Sequence, residues 1–402
     1  QMALCRKSML PASILCRWYL ILNKLLGVCK QLFSGICLLV FFLCSCGQGR
    51  KPASMASSDT IAFKYAHLIR ISQGAGYRQV VVQDPWQPGK ELCRYILIPK
   101  GTSTKDLPPG MVVRVPLERL AVFTSVHTNL LTELGAVERV SGVCDFEYIR
   151  QQPVIERVKS GKIKDMGSAM NPNVELIISA KTDAMMVSPF EKSGYGVIER
   201  TGIPLIECAD YMENSALGRA EWMRFFGMLV GKEREADSLF RQVERNYLKL
   251  KKMVDKKDLV KPSLLCDCMN GAAWYVPAAE STVGKLYADA GADYLFADKK
   301  GSGSVRLSFE TVYNRAHDAD IWLVKYGAAR DYTYQSFREE KEQYANFKAF
   351  KNKRIYGCNT LNVPFFDIEP FHPDLLLADA IHIFHPSLLP DHKPVFFTPL
   401  HD

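Results

Sequence analysis

The chain has 402 residues, of which 48% are hydrophobic, and its 51 Lys and Arg outnumber its 43 Asp and Glu, which gives a formal net charge of +8. A hydrophobic fraction of this size is typical of a packed globular core and excludes an intrinsically disordered chain. The first 45 residues contain five basic and no acidic residues, so the remainder carries a net charge of only +3 and gives no reason to expect a nucleic-acid partner.

The first 45 residues have the pattern of a secretory signal peptide. A basic leader precedes an apolar run over residues 32–43, and this run is shorter than the roughly 20 residues that a membrane-spanning helix needs. Residues 43–46, Leu-Cys-Ser-Cys, resemble a bacterial lipobox; an ordinary cleaved signal with cysteines nearby is the alternative. We therefore predict a signal peptide over 1–45, a lipidated Cys46 that begins a tether over 46–59, and a periplasmic, membrane-anchored protein of the cell envelope.

The next part of the chain alternates between strand and helix patterns. Residues 77–83, 94–98 and 111–115 read as strands of a short hairpin layer, separated by Pro and Gly turn signals. A strand over 120–124 and a helix over 127–134 follow. This alternation is typical of an α/β unit with a mostly parallel sheet, so we predict a first lobe over residues 60–230.

The middle of the chain is helical. After a predicted helix over 217–230, apolar residues recur at spacings of three and four and form one stripe, which comprises Ala236, Leu239, Phe240, Val243, Tyr247, Leu250 and Val254. One long surface helix and a helix that joins two lobes are both compatible with this stripe. Because α/β patterns lie on both sides, we predict an interlobe helix over 231–257 and a second lobe over 258–402.

The segment from Pro370 to Pro386 resembles the closing segment of the periplasmic metal-chelate binding proteins that supply ABC importers. Pro373-Asp374-Leu375 would open its last helix, because proline lacks an N–H that is unsatisfied there anyway. Residues 274–277, Trp-Tyr-Val-Pro, resemble a second motif of this family, although Ala278 replaces its usual glycine. The resemblance implies an α/β fold of two lobes, each with a mostly parallel sheet flanked by helices, joined by one long rigid interlobe helix. It also implies a ferric siderophore as cargo, with cobalamin or haem next, and no enzymatic activity.

A short pattern occurs in both halves of the chain. Glu175 and Glu310 are each followed by seven residues, then Asp-Ala and a strand. A carboxylate in the first turn of a helix is stabilised by the helix dipole, and this is the alternative explanation. The resemblance implies that the two glutamates dock the protein onto arginines of an ABC permease dimer, where charge would fix orientation.

The same resemblance places the ligand between the lobes, at loops that follow the carboxyl ends of strands. These loops are aromatic and polar, which suits a large flat chelate, and Arg330 would suit a negatively charged siderophore. For any one aromatic residue a place in the core is the alternative. The predicted ligand-binding residues are Phe146, Met170, Asn171 and Phe190 in the first lobe and Trp274, Tyr275, Ser304, Tyr326, Arg330 and Phe366 in the second.

The remaining motifs do not favour an enzyme. The sequence has no GxSxG, P-loop, HExxH or GxGxxG pattern after a strand. The six cysteines that follow Cys46 are scattered, so buried thiols are favoured over a metal pair at Cys266 and Cys268. We predict no catalytic residue, no resident metal and no cofactor. A nitrogenase-like or chelatase-like two-lobed enzyme and an adhesion or scaffold lipoprotein are the alternatives.

Overall fold

The computed structural model describes residues 60–255, 258–301 and 303–402. In these residues, one mainly antiparallel sheet precedes two α/β sheets along the chain. The predicted signal peptide and the predicted lipid on Cys46 lie outside the described residues.

The antiparallel sheet at the start is larger than the hairpin layer that the sequence predicts. Strands β1 to β4 pair in antiparallel order, and β5 pairs with β4 in parallel. The hydroxyl group of Tyr95 joins this sheet to the parallel sheet that follows it: it accepts from the Glu207 N–H at 2.8 Å and donates to the Leu205 carbonyl at 3.0 Å. The strands are β1 (Thr60–Ile61), β2 (Ile69–Gly74), β3 (Tyr77–Gln83), β4 (Glu91–Pro99) and β5 (Met111–Val115).

The first lobe contains a parallel five-stranded sheet with the strand order β12-β11-β6-β7-β8. Every residue of β6, β7 and β11 is buried, as expected for strands covered on both faces. Its strands and helices are β6 (Leu120–Val122), α1 (Ser125–Glu133), β7 (Val140–Val143), α2 (Gln152–Lys159), β8 (Lys164–Asp165), the hairpin of β9 (Gly167–Ser168) and β10 (Asn171–Pro172), α3 (Val174–Ser179), β11 (Ala184–Val187) and β12 (Leu205–Glu207).

Two helices occupy the region where the sequence predicts one over 217–230. They are α4 (Ala216–Glu221) and α5 (Met223–Val230). The chain tightens between them, because the backbone N–H of Trp222 bonds to the carbonyl of Arg219, three residues back, at 3.2 Å. Gly227 allows α5 to approach the next helix closely, since a Cβ added there would lie only 2.6 Å from the Cβ of Ala236.

The long helix α6 spans Glu233–Asp255 and confirms the predicted interlobe helix. Its 23 residues extend about 34 Å. Five members of the predicted stripe are buried, and Leu239 and Leu250 are half-buried. Near its start Glu233 pairs with Arg78 of β3, and near its end Tyr247 and Lys251 bond to Asp289 of the second lobe at 2.8 and 2.6 Å. The helix therefore contacts both halves of the molecule.

The second lobe repeats the α/β arrangement. Its main sheet has the order β16-β13-β18-β19-β20, parallel except for β20, and a smaller antiparallel sheet has the order β14-β15-β17. The elements are β13 (Ser263–Cys266), β14 (Met269–Asn270), β15 (Ala273–Pro277), α7 (Thr282–Asp289), β16 (Asp293–Tyr294), β17 (Ser304–Leu307), α8 (Phe309–Ala316), β18 (Ile321–Tyr326), α9 (Tyr334–Glu340), α10 (Lys348–Lys351), β19 (Ile355–Asn359), α11 (Phe365–Ile368), α12 (Pro373–Phe384) and β20 (Thr398–Pro399).

The last helix begins at Pro373, as the closing motif predicts. It packs along α6, where Asn246 Nδ2 donates to Asp374 Oδ2 at 2.9 Å. Direct hydrogen bonds also join the lobes beside it, since Ser125 Oγ of α1 donates to Asp367 Oδ1 of α11 at 2.5 Å. The two-lobed α/β fold is confirmed.

Candidate functional site

A cavity opens where three strands of the first-lobe sheet end. Strands β6, β7 and β11 all finish at this carboxyl edge, and the loops that follow them supply its walls. The volume is about 540 Å³, within the range of ligand pockets. The residues that line it are Phe123, Thr124, Asp145, Ala169, Met170, Asn171, Pro172, Val187, Ser188, Phe190, Ser193, Gly194, Tyr195, Gly196, Val197 and Ile198.

Three predicted ligand-binding residues line this first-lobe cavity. Met170 and Phe190 expose 83% and 54% of their surface, which is unusual for large apolar side chains, and Asn171 lies beside Met170 at the start of β10. Asp145 holds the loop in place, because its Oδ1 accepts from the Ala169 N–H at 3.1 Å. The cavity therefore offers exposed apolar side chains on a loop that is hydrogen-bonded to the sheet edge.

The fourth first-lobe prediction, Phe146, is not supported. Phe146 is half-buried and packs against the hydrophobic core, and it is absent from the described lining of the cavity. The short helical turn that holds it instead exposes 59% of Tyr148. In such a turn, side chains two residues apart point in different directions, so the neighbouring aromatic residue faces solvent.

The lining of the first-lobe cavity carries a small negative charge. Asp145 is the one charged residue among the described residues that line it. Behind the wall, the Tyr195 hydroxyl and Glu207 Oε2 are buried without a hydrogen-bond partner in the described part of the chain. Burial, aided by the charges of Glu199 and Asp84, raises the pKa of Glu207 to about 7. A carboxyl with this pKa is only partly ionised at neutral pH.

His127, which could be considered as a haem ligand, has a structural role. It is buried, and its ring nitrogens lie 2.6 Å from Thr124 Oγ1 and 2.9 Å from Asp210 Oδ1. Arg219 Nε donates to the other oxygen of Asp210 at 3.3 Å. With both nitrogens engaged, His127 has no free position for iron.

The prediction that Trp274 contacts the ligand is wrong for this structure. Trp274 is fully buried, its ring stacks on Trp322 with centroids 5.6 Å apart, and its Nε1 donates to the Cys266 carbonyl at 2.9 Å. Alternate residues of a strand face opposite sides, so Trp274 points into the core and Tyr275 points outward, with 42% of its surface exposed.

The other second-lobe predictions do not converge on one cavity. Tyr275 and Ser304 lie on paired strands, opposite Arg306 and Pro277 respectively. Both are exposed.

Tyr326 has a packing role, because it stacks on Tyr332 at 4.0 Å and its hydroxyl accepts from the Tyr332 N–H. Arg330 is exposed in the loop after β18, and Phe366 exposes 58% of its surface beside Phe365. None of the six described second-lobe residues lines the first-lobe cavity.

Glu175 and Glu310 occupy equivalent positions in the two lobes. Each is exposed in the first turn of a helix, α3 or α8, capped by the side chain of Asn173 or Ser308. The helix-start N–H and the Ser308 hydroxyl lower the pKa of Glu310. Among the described residues, no Lys, Arg or His nitrogen lies within 4.0 Å of either carboxylate.

The described residues offer little that could hold a metal ion directly. No group of three His, Cys, Asp or Glu side chains among them is arranged as a metal site. The six described cysteines are free thiols, and burial raises the pKa of Cys268 to about 12. In the same described ranges, no helix combines the length and apolar character needed to cross a bilayer.

Comparisons with known proteins agree with this architecture. The sequence pattern described as periplasmic binding protein matches residues 120–360. An uncharacterized lipoprotein of Methanocaldococcus jannaschii is 30% identical over 71% of this chain and 69% of its own length.

Two solved structures share the fold at low sequence identity. The TroA-like periplasmic binding protein FepB of Veillonella parvula is 16% identical, with a TM-score of 0.55 over 72% of this chain and 96% of that one. A periplasmic heme binding protein of Pseudomonas aeruginosa is 14% identical, with a TM-score of 0.54 over 71% and 98%.

Proposed function

The chain belongs to the periplasmic binding protein family, and on this premise we propose that it captures a metal chelate at the first-lobe cavity and delivers it to an ABC permease. The process involves binding and release without a covalent step. The chelate is cargo, and its own ligands hold the metal, so the protein needs no metal ligands of its own.

The exposed apolar wall of the first-lobe cavity is the observation that carries this proposal. Met170 exposes 83% and Phe190 exposes 54% of its surface at the edge where open α/β sheets bind ligands. Burying such side chains against a ligand releases free energy, whereas leaving them exposed has no stabilising role. A large ligand with apolar edges fits this arrangement.

The charge of the cavity narrows the class of chelate. With Asp145 as the charged lining residue and Glu147 exposed in the next turn, a trianionic ferric catecholate would meet repulsion. Arg330, which suits an anionic siderophore, does not line the cavity. We therefore rank an uncharged ferric hydroxamate siderophore first, cobalamin second and haem third.

A thermal-shift panel on residues 47–402 tests the ligand class. The panel compares a neutral ferric trihydroxamate, cobalamin, haemin and an anionic ferric triscatecholate, with each iron-free ligand as its control. A ligand present at 100 times its Kd stabilises the folded state by about 2.7 kcal/mol, which raises the Tm measurably. A shift with the triscatecholate alone would contradict the charge argument, and no shift with any compound would contradict the proposed function and favour a scaffold lipoprotein.

Docking to the permease is assigned to Glu175 and Glu310. Their support is positional: one exposed carboxylate stands at a helix start in each lobe. Because α6 contacts both lobes, the two carboxylates would be held apart at a set distance, and they would fix the orientation of a partner that carries arginines.

An extracytoplasmic location with a lipid on Cys46 completes the proposal. The support is the signal-like leader and the similarity to an archaeal lipoprotein. Metabolic labelling with a fatty-acid analogue, with and without Cys46→Ala, tests the anchor, because only the chain that retains the acceptor thiol should be labelled.

A further inference from the structure

We propose that the outer face of the β1–β5 sheet binds the surface of a membrane that contains anionic phospholipid. Residues 60–115 carry eight basic and three acidic residues, a net charge of +5, whereas residues 116–402 carry 36 basic and 39 acidic residues, a net charge of −3. The positive charge is therefore concentrated in a sheet that precedes the matched family region of residues 120–360. Three of the eight basic residues, Lys64, Arg78 and Lys100, pair with acids of the later region, so the excess positive charge rests on the others.

The strand register places basic side chains on the face that is turned away from the core. Ile69 and Ile71 of β2 are buried, so Arg70 between them points to the opposite face and is exposed. Arg94 pairs with Val81, the register partner of Arg70, and therefore shares that face. Arg114 of β5 pairs with Ile98 of β4 and is exposed, although Ile96 and Ile98 on the same face are fully buried. We call this the outer face.

The loop over residues 100–110 carries two lysines and one exposed acid, Asp106, next to the outer face. It lies against β5, because Arg114 Nη1 donates to the Thr102 carbonyl at 2.9 Å. Lys100 and Lys105 of this loop are exposed, although Lys100 also pairs with Glu118 at 2.8 Å. Arg94 is paired with Glu91, whose Oε2 lies 2.7 Å from Arg94 Nη2. Among the described residues, the basic side chains at the outer face that form no ion pair are therefore Arg70, Lys105 and Arg114.

An open cavity of about 640 Å³ lies between this loop and the amino-terminal edge of the first-lobe sheet. Lys100 and Arg114 line it together with one acid, Asp183, whose Oδ2 accepts the backbone N–H groups of Glu118 and Arg119 at 2.8 and 3.1 Å. Those two hydrogen bonds offset part of its charge. A lipid phosphate could therefore approach the two basic side chains.

The short segment between the predicted lipidation site, Cys46, and the first strand favours a lipid surface over other anionic partners. Thirteen residues lie between Cys46 and Thr60, and the fourteen Cα–Cα steps can span at most about 50 Å. A lipid on Cys46 would keep the sheet near headgroups, where each Lys or Arg contributes about 1 kcal/mol of attraction to an anionic leaflet. The vesicle binding itself depends neither on the anchor nor on which chelate is carried.

Flotation with lipid vesicles tests the proposal on residues 47–402, which retain the compact unit Ser58–Asp402 without the leader. We expect binding to vesicles with about 30% phosphatidylglycerol, little binding to pure phosphatidylcholine, and release when NaCl rises from about 50 mM to about 500 mM. The triple variant Arg70→Glu, Lys105→Glu, Arg114→Glu should bind anionic vesicles at least about tenfold more weakly.

The matched control reverses three exposed charges on the long helix, Arg245→Glu, Lys249→Glu and Lys252→Glu, and changes the net charge by the same amount. It should retain most of the binding. Equal loss in both triple variants would overturn the proposal, since net charge rather than the outer face would then determine binding. Equal binding of the wild-type protein to neutral and anionic vesicles, or binding that resists salt, would overturn it without any variant. Ligand-induced Tm shifts should persist in both variants, which separates this proposal from the proposed function.

Discussion

The two lobes share one architecture, but two groups of apolar and aromatic side chains at comparable strand ends lie in different environments. In the first lobe, Phe190 and the thioether of Met170 stand exposed at the sheet edge around a cavity. In the second lobe, Trp274, Trp322 and Tyr344 pack together with ring centroids 5.2–5.9 Å apart and are almost completely buried. Residue type alone therefore does not distinguish a binding wall from a core, whereas position in the strand register does.

Trp274→Ala should show the largest effect. Removing a fully buried indole from the second-lobe cluster leaves a cavity and should lower the free energy of unfolding by about 3–5 kcal/mol. Denaturant titration measures this loss. The exposed neighbour offers the control, since Tyr275→Ala should change stability by no more than about 0.5 kcal/mol. If the Trp274→Ala protein were instead stable and bound its ligand more weakly, Trp274 would be a ligand contact after all.

Phe190→Ala should have the converse effect. It removes an exposed ring from the first-lobe cavity, so stability should hardly change while the Kd for the best chelate rises about tenfold. Isothermal titration calorimetry measures the affinity. Phe366→Ala is a matched control, because the two rings are similarly exposed, at 54% and 58%, but Phe366 does not line the cavity. A larger effect at Phe366 would place the main ligand contacts on the second lobe.

Glu207→Gln should have a pH-dependent effect of intermediate size. The folded protein raises the pKa of Glu207 from 4.5 to about 7, so it binds this proton more tightly than the unfolded chain does. Wild-type stability should therefore fall as pH rises from 4.5 through 7, and the variant should lack this decline. Because Glu207 is only half-buried, solvent reduces the difference to about 1 kcal/mol in favour of the variant at pH 8, with none at pH 4.

Thermal unfolding of both proteins across this pH range measures the difference. Glu147→Gln, an exposed substitution near the same first-lobe cavity, serves as the control and should follow the wild-type profile. A Glu207→Gln profile that parallels the wild type would show that another group causes the decline.

Reversal of Glu175 and Glu310 should have the smallest effect on the purified protein. Both side chains are exposed, so the double variant to Lys should keep its stability within about 0.5 kcal/mol and its ligand affinity. Uptake of labelled chelate by cells should nevertheless fall sharply, because carboxylates that face arginines become like charges. Each single reversal should be milder, since the other lobe would still dock. Normal uptake by the double variant would show that neither glutamate docks the permease and that both only stabilise the starts of their helices.

Local patterns in the sequence predict much of the fold. The stripe over α6 and the proline that opens α12 depend on contacts between near neighbours along a helix, so they survive in the folded protein. The pairing of β6 with β11 depends on residues far apart in sequence, and the tightened turn at Trp222 depends on a single backbone hydrogen bond. The spacing of apolar residues along the sequence therefore does not predict these features.

The candidate site was only partly predictable. Met170, Asn171 and Phe190 follow from the rule that loops after parallel strands bind ligands. Tyr195 and Val197 lie in and beside an irregular helical turn without apolar periodicity, so no pattern identified them. For Trp274 a signal did exist: it alternates with Tyr275 in a strand, and only one of the two can face outward.

A crystal structure with the chelate that most raises the Tm is the most direct test of the claim that the first-lobe cavity binds the cargo. We predict that chelate atoms lie in van der Waals contact with Met170 and Phe190, at the carboxyl edge of the first-lobe sheet. A chelate bound instead in the cavity beside Lys100 and Arg114, or held by the second lobe without contact to Phe190, would contradict the claim.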